Sequence, residues 1–161
     1  MTRPKTRNVL SAAAAVIVAA LPAAGETAPK DVAYEEGAVA ASLTGGAGDA
    51  EAGAKVMTTA ALGNCVACHV IEAMPDVQFP GNIAPPLDGV ADRYSEAQLR
   101  GIVSNAKMTF DGSFMPAFYK TEGFIRPGNA YSGKAPEGDL PPILTGQEIE
   151  DVVAYLLTLK E

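Results

Sequence analysis

The chain has 161 residues, with 12 Lys plus Arg against 19 Asp plus Glu and a formal charge of −7. That acidity argues against nucleic acid and anionic membrane surfaces as partners, because like charges repel, and an apolar content of 48% argues against wholesale disorder. The length supports one compact domain, and two cysteines cannot staple it through a disulfide framework.

Arg3, Lys5 and Arg7 precede the first acidic residue, Glu26, and Val9 to Leu21 form a mostly Ala/Val/Ile/Leu run. Ala23-Ala24-Gly25 then supplies the small residues of a cleavage site. This order is that of a secretory signal peptide over residues 1–25. The apolar run is too short for the roughly 20 residues that cross a bilayer, so no membrane attachment is expected once the leader is cleaved. Cleavage removes basic residues only, and the mature chain is expected to be more acidic still and to work in a periplasm.

Residues 26–48 are rich in Ala and Gly and close on Thr44-Gly45-Gly46-Ala47-Gly48. They read as an extended N-terminal arm with a short ordered piece around Val32 to Leu43, leaving residues 49–161 as the folded domain. Asp49 is an N-cap residue type, and the good helix formers after it predict a helix over Ala50 to Ala61 with Val56, Ala60 and Ala61 at helical spacings. Gly53 interrupts it at a cost of about 1 kcal/mol against alanine, which points to a close helix–helix approach. Met74 to Val90 carries four prolines and two glycines and reads as loop. Ser95 and Gln98 form a capping-box pattern for a second helix, with Leu99, Ile102 and Val103 as its buried stripe. Lys107 to Pro142 has no sustained period and is long for a loop in a compact domain, so it is functional or supported by something bound. Thr145 and Glu148 cap the last helix; Glu148, Glu150 and Asp151 suit the positive end of its dipole, and Lys160 the other. Ile149, Val152, Val153, Leu156, Leu157 and Leu159 form its apolar face. No internal repeat and no convincing strand is visible.

Cys65-Val66-Ala67-Cys68-His69 contains both cysteines and the only histidine of the chain. The spacing is that of covalent haem attachment: two thiols on one helical turn form thioethers to the two vinyl groups of a haem, and the adjacent imidazole reaches the iron. A zinc site needs four protein ligands, and no further Cys or His exists. A thioredoxin-like pair wants a βαβ context, and a disulfide closing so small a loop stabilises little. A bound haem also gives the long Gly/Pro loops a large apolar surface to pack on. With no second histidine, a methionine thioether is the natural sixth ligand. Met57 lies upstream on the first helix and Met74 is too near His69 to reach the opposite face. Met108 and Met115 remain, and Met115 is favoured because Pro116 stiffens the backbone after it and Phe118 is available to shield it.

At these residues the chain resembles the class I c-type cytochromes over about residues 48–161. Gly48-Asp49-Ala50-Glu51-Ala52-Gly53-Ala54-Lys55 is similar to that family's first helix, Pro85-Pro86-Leu87-Asp88-Gly89 to the loop after the haem motif, and the segment with Tyr155 and Leu156 to its closing helix. The resemblance implies an all-α, class I cytochrome c fold: three main helices plus long loops around one covalently attached haem c. It further implies that Pro85 lends its carbonyl to the proximal imidazole, that Leu87 packs on the haem, and that His69 and Met115 are the axial ligands.

Three longer segments, 81–90, 114–120 and 143–156, together with Asp31-Val32-Ala33-Tyr34, resemble the SoxX family. Members are monohaem subunits of the SoxAX cytochromes of bacterial sulfur oxidation. The resemblance implies a heterodimer with a SoxA-type dihaem cytochrome and action on the SoxYZ carrier through the complex. Electrons released as thiosulfate is joined to a SoxYZ cysteine would pass through this chain to a soluble acceptor. In that picture the chain is the electron-transfer subunit of an L-cysteine S-thiosulfotransferase, and the catalytic haem sits on the partner, so no catalytic residue is assigned here. The alternative is a free periplasmic monohaem electron carrier, for which the arm 26–48 and the loop 121–142 would be dispensable.

Overall fold

The structure, a computed structural model, describes residues 25–125, 127 and 133–161. The expected leader lies outside the described residues apart from Gly25. Among the described residues the chain forms helices α1 (Ala50–Thr58), α2 (Val90–Arg93), α3 (Glu96–Asn105) and α4 (Gly146–Leu156). Single 3-10 turns cover Pro29–Asp31, Cys65–Ala67 and Ala106–Met108. The described residues contain no strand, only an isolated bridge between Glu35 and Ala38.

Helix α1 begins where Asp49 accepts the Ala52 N–H at 2.9 Å. It ends three residues earlier than its composition predicts. The hydroxyls of Thr58 and Thr59 turn back onto the carbonyls of Ala54 and Lys55, at 2.9 and 2.6 Å, and Ala60 and Ala61 are exposed. With no apolar face beyond Met57 to bury, nothing holds a further turn. Helices α3 and α4 carry complete capping boxes, Ser95 with Gln98 and Thr145 with Glu148. Leu99 and Val103 of α3 and Ile149, Val152, Val153 and Leu156 of α4 are buried, while Ile102 and Leu157 are only partly so. Val90, expected in the loop, instead starts the single-turn helix α2. Lys160 lies beyond the α4 C-cap, Leu157, and so is not in the last turn.

Helices α1 and α4 cross in close contact because two α1-side glycines leave room for backbone. A methyl group at Gly53 would fall on the carbonyl oxygen of Asp151, and one at Gly48 on that of Glu150. Two of the acids expected to serve the helix dipole are instead buried. Asp151 accepts the Asp49 N–H at 2.8 Å, joining the two helix starts. Glu150 is bound by Arg100 of α3, Nε to Oε1 at 2.8 Å and Nη2 to Oε2 at 3.0 Å, and both side chains are only 3% exposed.

The arm is part of this core. Val39 and Leu43 are buried within it, and the Leu43 N–H donates to Glu150 Oε1 at 2.8 Å. Arg100 Nη1 donates to the Val39 carbonyl at 3.0 Å, and Gly101 allows the Gly37 carbonyl against α3, where a methyl group would collide. The long segment after α3 is pinned as well. Phe118 and Tyr119 are buried, the Tyr119 N–H donates to the Ser104 carbonyl at 3.0 Å, and the Leu144 N–H to that of Phe118 at 3.1 Å.

Candidate functional site

The haem motif sits just after α1. Asn64, in the left-handed region at φ 46°, turns the chain into the 3-10 turn Cys65–Ala67. The N–H groups of Cys68 and His69 both donate to the Cys65 carbonyl, at 3.1 and 3.0 Å, which folds the motif into one compact turn. Cys65 and Cys68 are both free of disulfide and half-buried. Burial pushes the Cys65 thiol up to about 11, with the Cys68 thiol adding to the rise.

The loop 81–87 lies along this turn and is laced to it. Gly81 N–H donates to the Val66 carbonyl at 2.9 Å, Ala84 to Cys68 at 3.1 Å and Leu87 to Val70 at 3.0 Å. The approach at Gly81 is so close that a methyl group would meet the Ala67 carbonyl. The lacing brings the Pro85 carbonyl oxygen to 2.6 Å from His69 Nδ1. A carbonyl can only accept, so the ring proton sits on Nδ1 and the Nε2 lone pair is left for a metal. Arg93 braces the far end of the loop, donating to the Asp88 and Pro86 carbonyls at 2.7 and 3.1 Å. Leu87 is partly buried against the core.

The methionines separate by burial. Met57 is fully buried inside the core, Met74 packs at its edge, and Met108 is 48% exposed. Met115 is partly buried, with its backbone held on both sides: its N–H donates to Ser113 Oγ at 3.3 Å and its carbonyl accepts Lys107 Nζ at 2.6 Å. Large apolar side chains stand in water on the same two loops, Ile83 at 83% and Phe114 at 100% exposure.

The residues fit a covalently attached haem. Two adjacent free thiols suit thioether attachment to the haem vinyl groups, while an imidazole with an oriented lone pair and a methionine thioether are donor types suited to haem iron. The uncovered Ile83 and Phe114 are of the kind an apolar macrocycle shields. The structure brings Cys65, Cys68, His69, Pro85 and Leu87 together through the backbone ladder, while Met115 lies on a separate segment that is bonded to the end of α3. Sequence reasoning missed Lys107, Ser113 and Arg93 as supports, because their bonds are to backbone carbonyls and amides and leave no motif.

Residues 50–160 match the cytochrome c family. A chain of the crystal structure of SoxXA from P. pantotrophus is 69% identical to this one, and the match covers 85% of this chain and 100% of that chain with a TM-score of 0.82. No curated protein matches the chain.

Proposed function

The chain belongs to the cytochrome c family, and on that premise we propose that it is the monohaem, SoxX-type subunit of a SoxAX complex. The observation that carries this reading is the 69% identity over the whole of a SoxXA chain. The family's cofactor is covalently bound haem c, which when bound supplies a one-electron iron couple. In this reading Cys65 and Cys68 would hold the haem through thioethers, His69 and Met115 would supply the ligands to its iron, and Pro85 and Leu87 would complete the pocket. The Pro85 carbonyl orients the imidazole and raises its basicity as a ligand. A thioether ligand raises the reduction potential, which suits an acceptor of electrons.

With His69 and Met115 both available to the iron, this chain would hold it as an electron-transfer centre rather than as a substrate site. The chain also has no second cysteine pair and no further histidine with which to build a substrate site. The joining of thiosulfate to a SoxYZ cysteine is therefore assigned to the SoxA-type partner, and this chain to the passage of electrons onward to a soluble acceptor. The same reading divides the chain into a cleaved leader (1–25), an arm (26–48) and a cytochrome domain (49–161), and places the mature protein in the periplasm. Among the described residues no helix is long and apolar enough to cross a membrane.

The test is the haem-to-chain ratio of the tagged protein purified from its own periplasm. The expected outcome is one covalent haem on this chain, with a second haem-bearing chain retained at a fixed ratio. A red chain that purifies alone would instead make it a free electron carrier.

A further inference from the structure

Lys107 is not itself a candidate haem or iron ligand, yet its ammonium donates to the Met115 carbonyl at 2.6 Å. Its mount is firm. Lys107 lies in the 3-10 turn Ala106–Met108 at the end of α3, and Ala106 is fully buried. The Thr109 and Phe110 N–H groups both close on the Ala106 carbonyl, at 3.1 and 2.8 Å. The Phe110 ring meets the Tyr94 ring edge-on, with centroids 6.4 Å apart. A methyl group at Gly37 of the arm would collide with Thr109 Oγ1, so the arm is seated against the same turn. Beyond Met115, Pro116 fixes φ and lacks an N–H, and the Tyr119 N–H returns the chain to α3 at Ser104.

The Met115 segment is therefore anchored at its exit by Tyr119, and at Met115 itself by Lys107 and Ser113. An exposed lysine on a carbonyl contributes little to global stability. A charge-assisted hydrogen bond to one particular peptide, however, restrains that peptide's plane, and so the backbone at the Cα from which the Met115 side chain projects. We propose that Lys107 is a positioning residue for the distal axial ligand: its bond to the Met115 carbonyl holds the thioether in place and resists its displacement. The proposal rests on Met115 being the ligand.

The experiment titrates the ferric holoprotein with imidazole, a neutral ligand that competes with the thioether, and follows the weak thioether-to-iron absorption band at the red end of the spectrum. The variants are Lys107→Met, Lys107→Arg, Met115→Ala and, as a control that removes the same charge elsewhere, Lys55→Met. Lys107→Met is expected to bind imidazole about tenfold more tightly than the parent, the scale of one lost charge-assisted hydrogen bond. Lys107→Arg should restore the parent affinity, and Lys55→Met should leave it unchanged. Parent-like affinity in Lys107→Met, beside a Met115→Ala variant that loses the band, would overturn the role of Lys107 and leave Met115 as ligand. An equal rise in Lys55→Met would make the effect one of net charge and overturn it too. A band that survives in Met115→Ala would overturn both assignments together.

Discussion

Arg100 and Glu150 are each 3% exposed, and their pairing shows how a single side chain can join three parts of the chain. Glu150 receives Arg100 and the Leu43 N–H, and Arg100 also reaches Glu96 at 2.5 Å and the Val39 carbonyl. Burying an ion pair gains little over a well-packed apolar pair, but removing one partner strands a charge away from water. Glu150→Gln is expected to destabilise the holoprotein by about 3–5 kcal/mol in denaturant unfolding. The double variant Arg100→Met, Glu150→Met should recover a large part of that loss; equal loss in both would show that the charge is not what matters. Nothing local foretells this pair. Glu150 reads in sequence as one of several acids at a helix start, and 50 residues separate it from its partner. The haem ligands differ in this respect: Cys65, Cys68 and His69 are legible because covalent attachment demands adjacent residues. The Pro85 contact to His69 crosses 16 residues and was expected only through family resemblance.

At the scale of elements, the starts of α1, α3 and α4 were legible, while the single-turn helix α2 and the end of α1 were not. Capping uses side chains within three residues of the cap, so Asp49, Ser95 with Gln98 and Thr145 with Glu148 all appear as local patterns. The end of α1 at Thr58 depends on what lies beyond it, where no apolar partner awaits Ala60 and Ala61. Gly53 was readable as a place of close approach, and its partner turns out to be the backbone at Asp151. Gly53→Ala would gain helix propensity of about 1 kcal/mol in isolation. In the protein it forces α1 and α4 apart, and we expect a net destabilisation on the order of 3 kcal/mol in thermal unfolding. A variant as stable as the parent would show that the helices can separate without loss.

Over the whole molecule, the arm, the long loop and the start of α4 meet at one clasp. Tyr119 Oη lies 2.7 Å from Glu26 Oε1 and 2.6 Å from the Thr27 carbonyl oxygen, and Glu26 also accepts the Gly146 N–H at 2.7 Å. Burial, then the hydrogen bond to Glu26 and its negative charge, raise the Tyr119 phenol above its ordinary value of 10.0. A folded-state value above the unfolded one means that this contribution is fully present below about pH 10 and is lost as pH rises toward the raised value. The slope should reach about 1.4 kcal/mol per pH unit. The parent's melting temperature is therefore expected to fall more steeply above pH 10 than that of Tyr119→Phe, and parallel curves would remove Tyr119 from the alkaline transition. The clasp also alters the reading of the arm, which sequence treated as separable from the folded domain: Val39 and Leu43 are core residues, so trimming the arm would uncover apolar surface. The sequence by itself determined the helical class, the caps and the haem-attachment motif, because each is written in residues a few positions apart. Only the tertiary structure decided that the arm belongs to the core, that Glu150 is buried on Arg100 and that Lys107 grips the Met115 carbonyl. Those contacts join residues distant in sequence, or end on backbone atoms common to every residue, and so leave no pattern in the order of side chains.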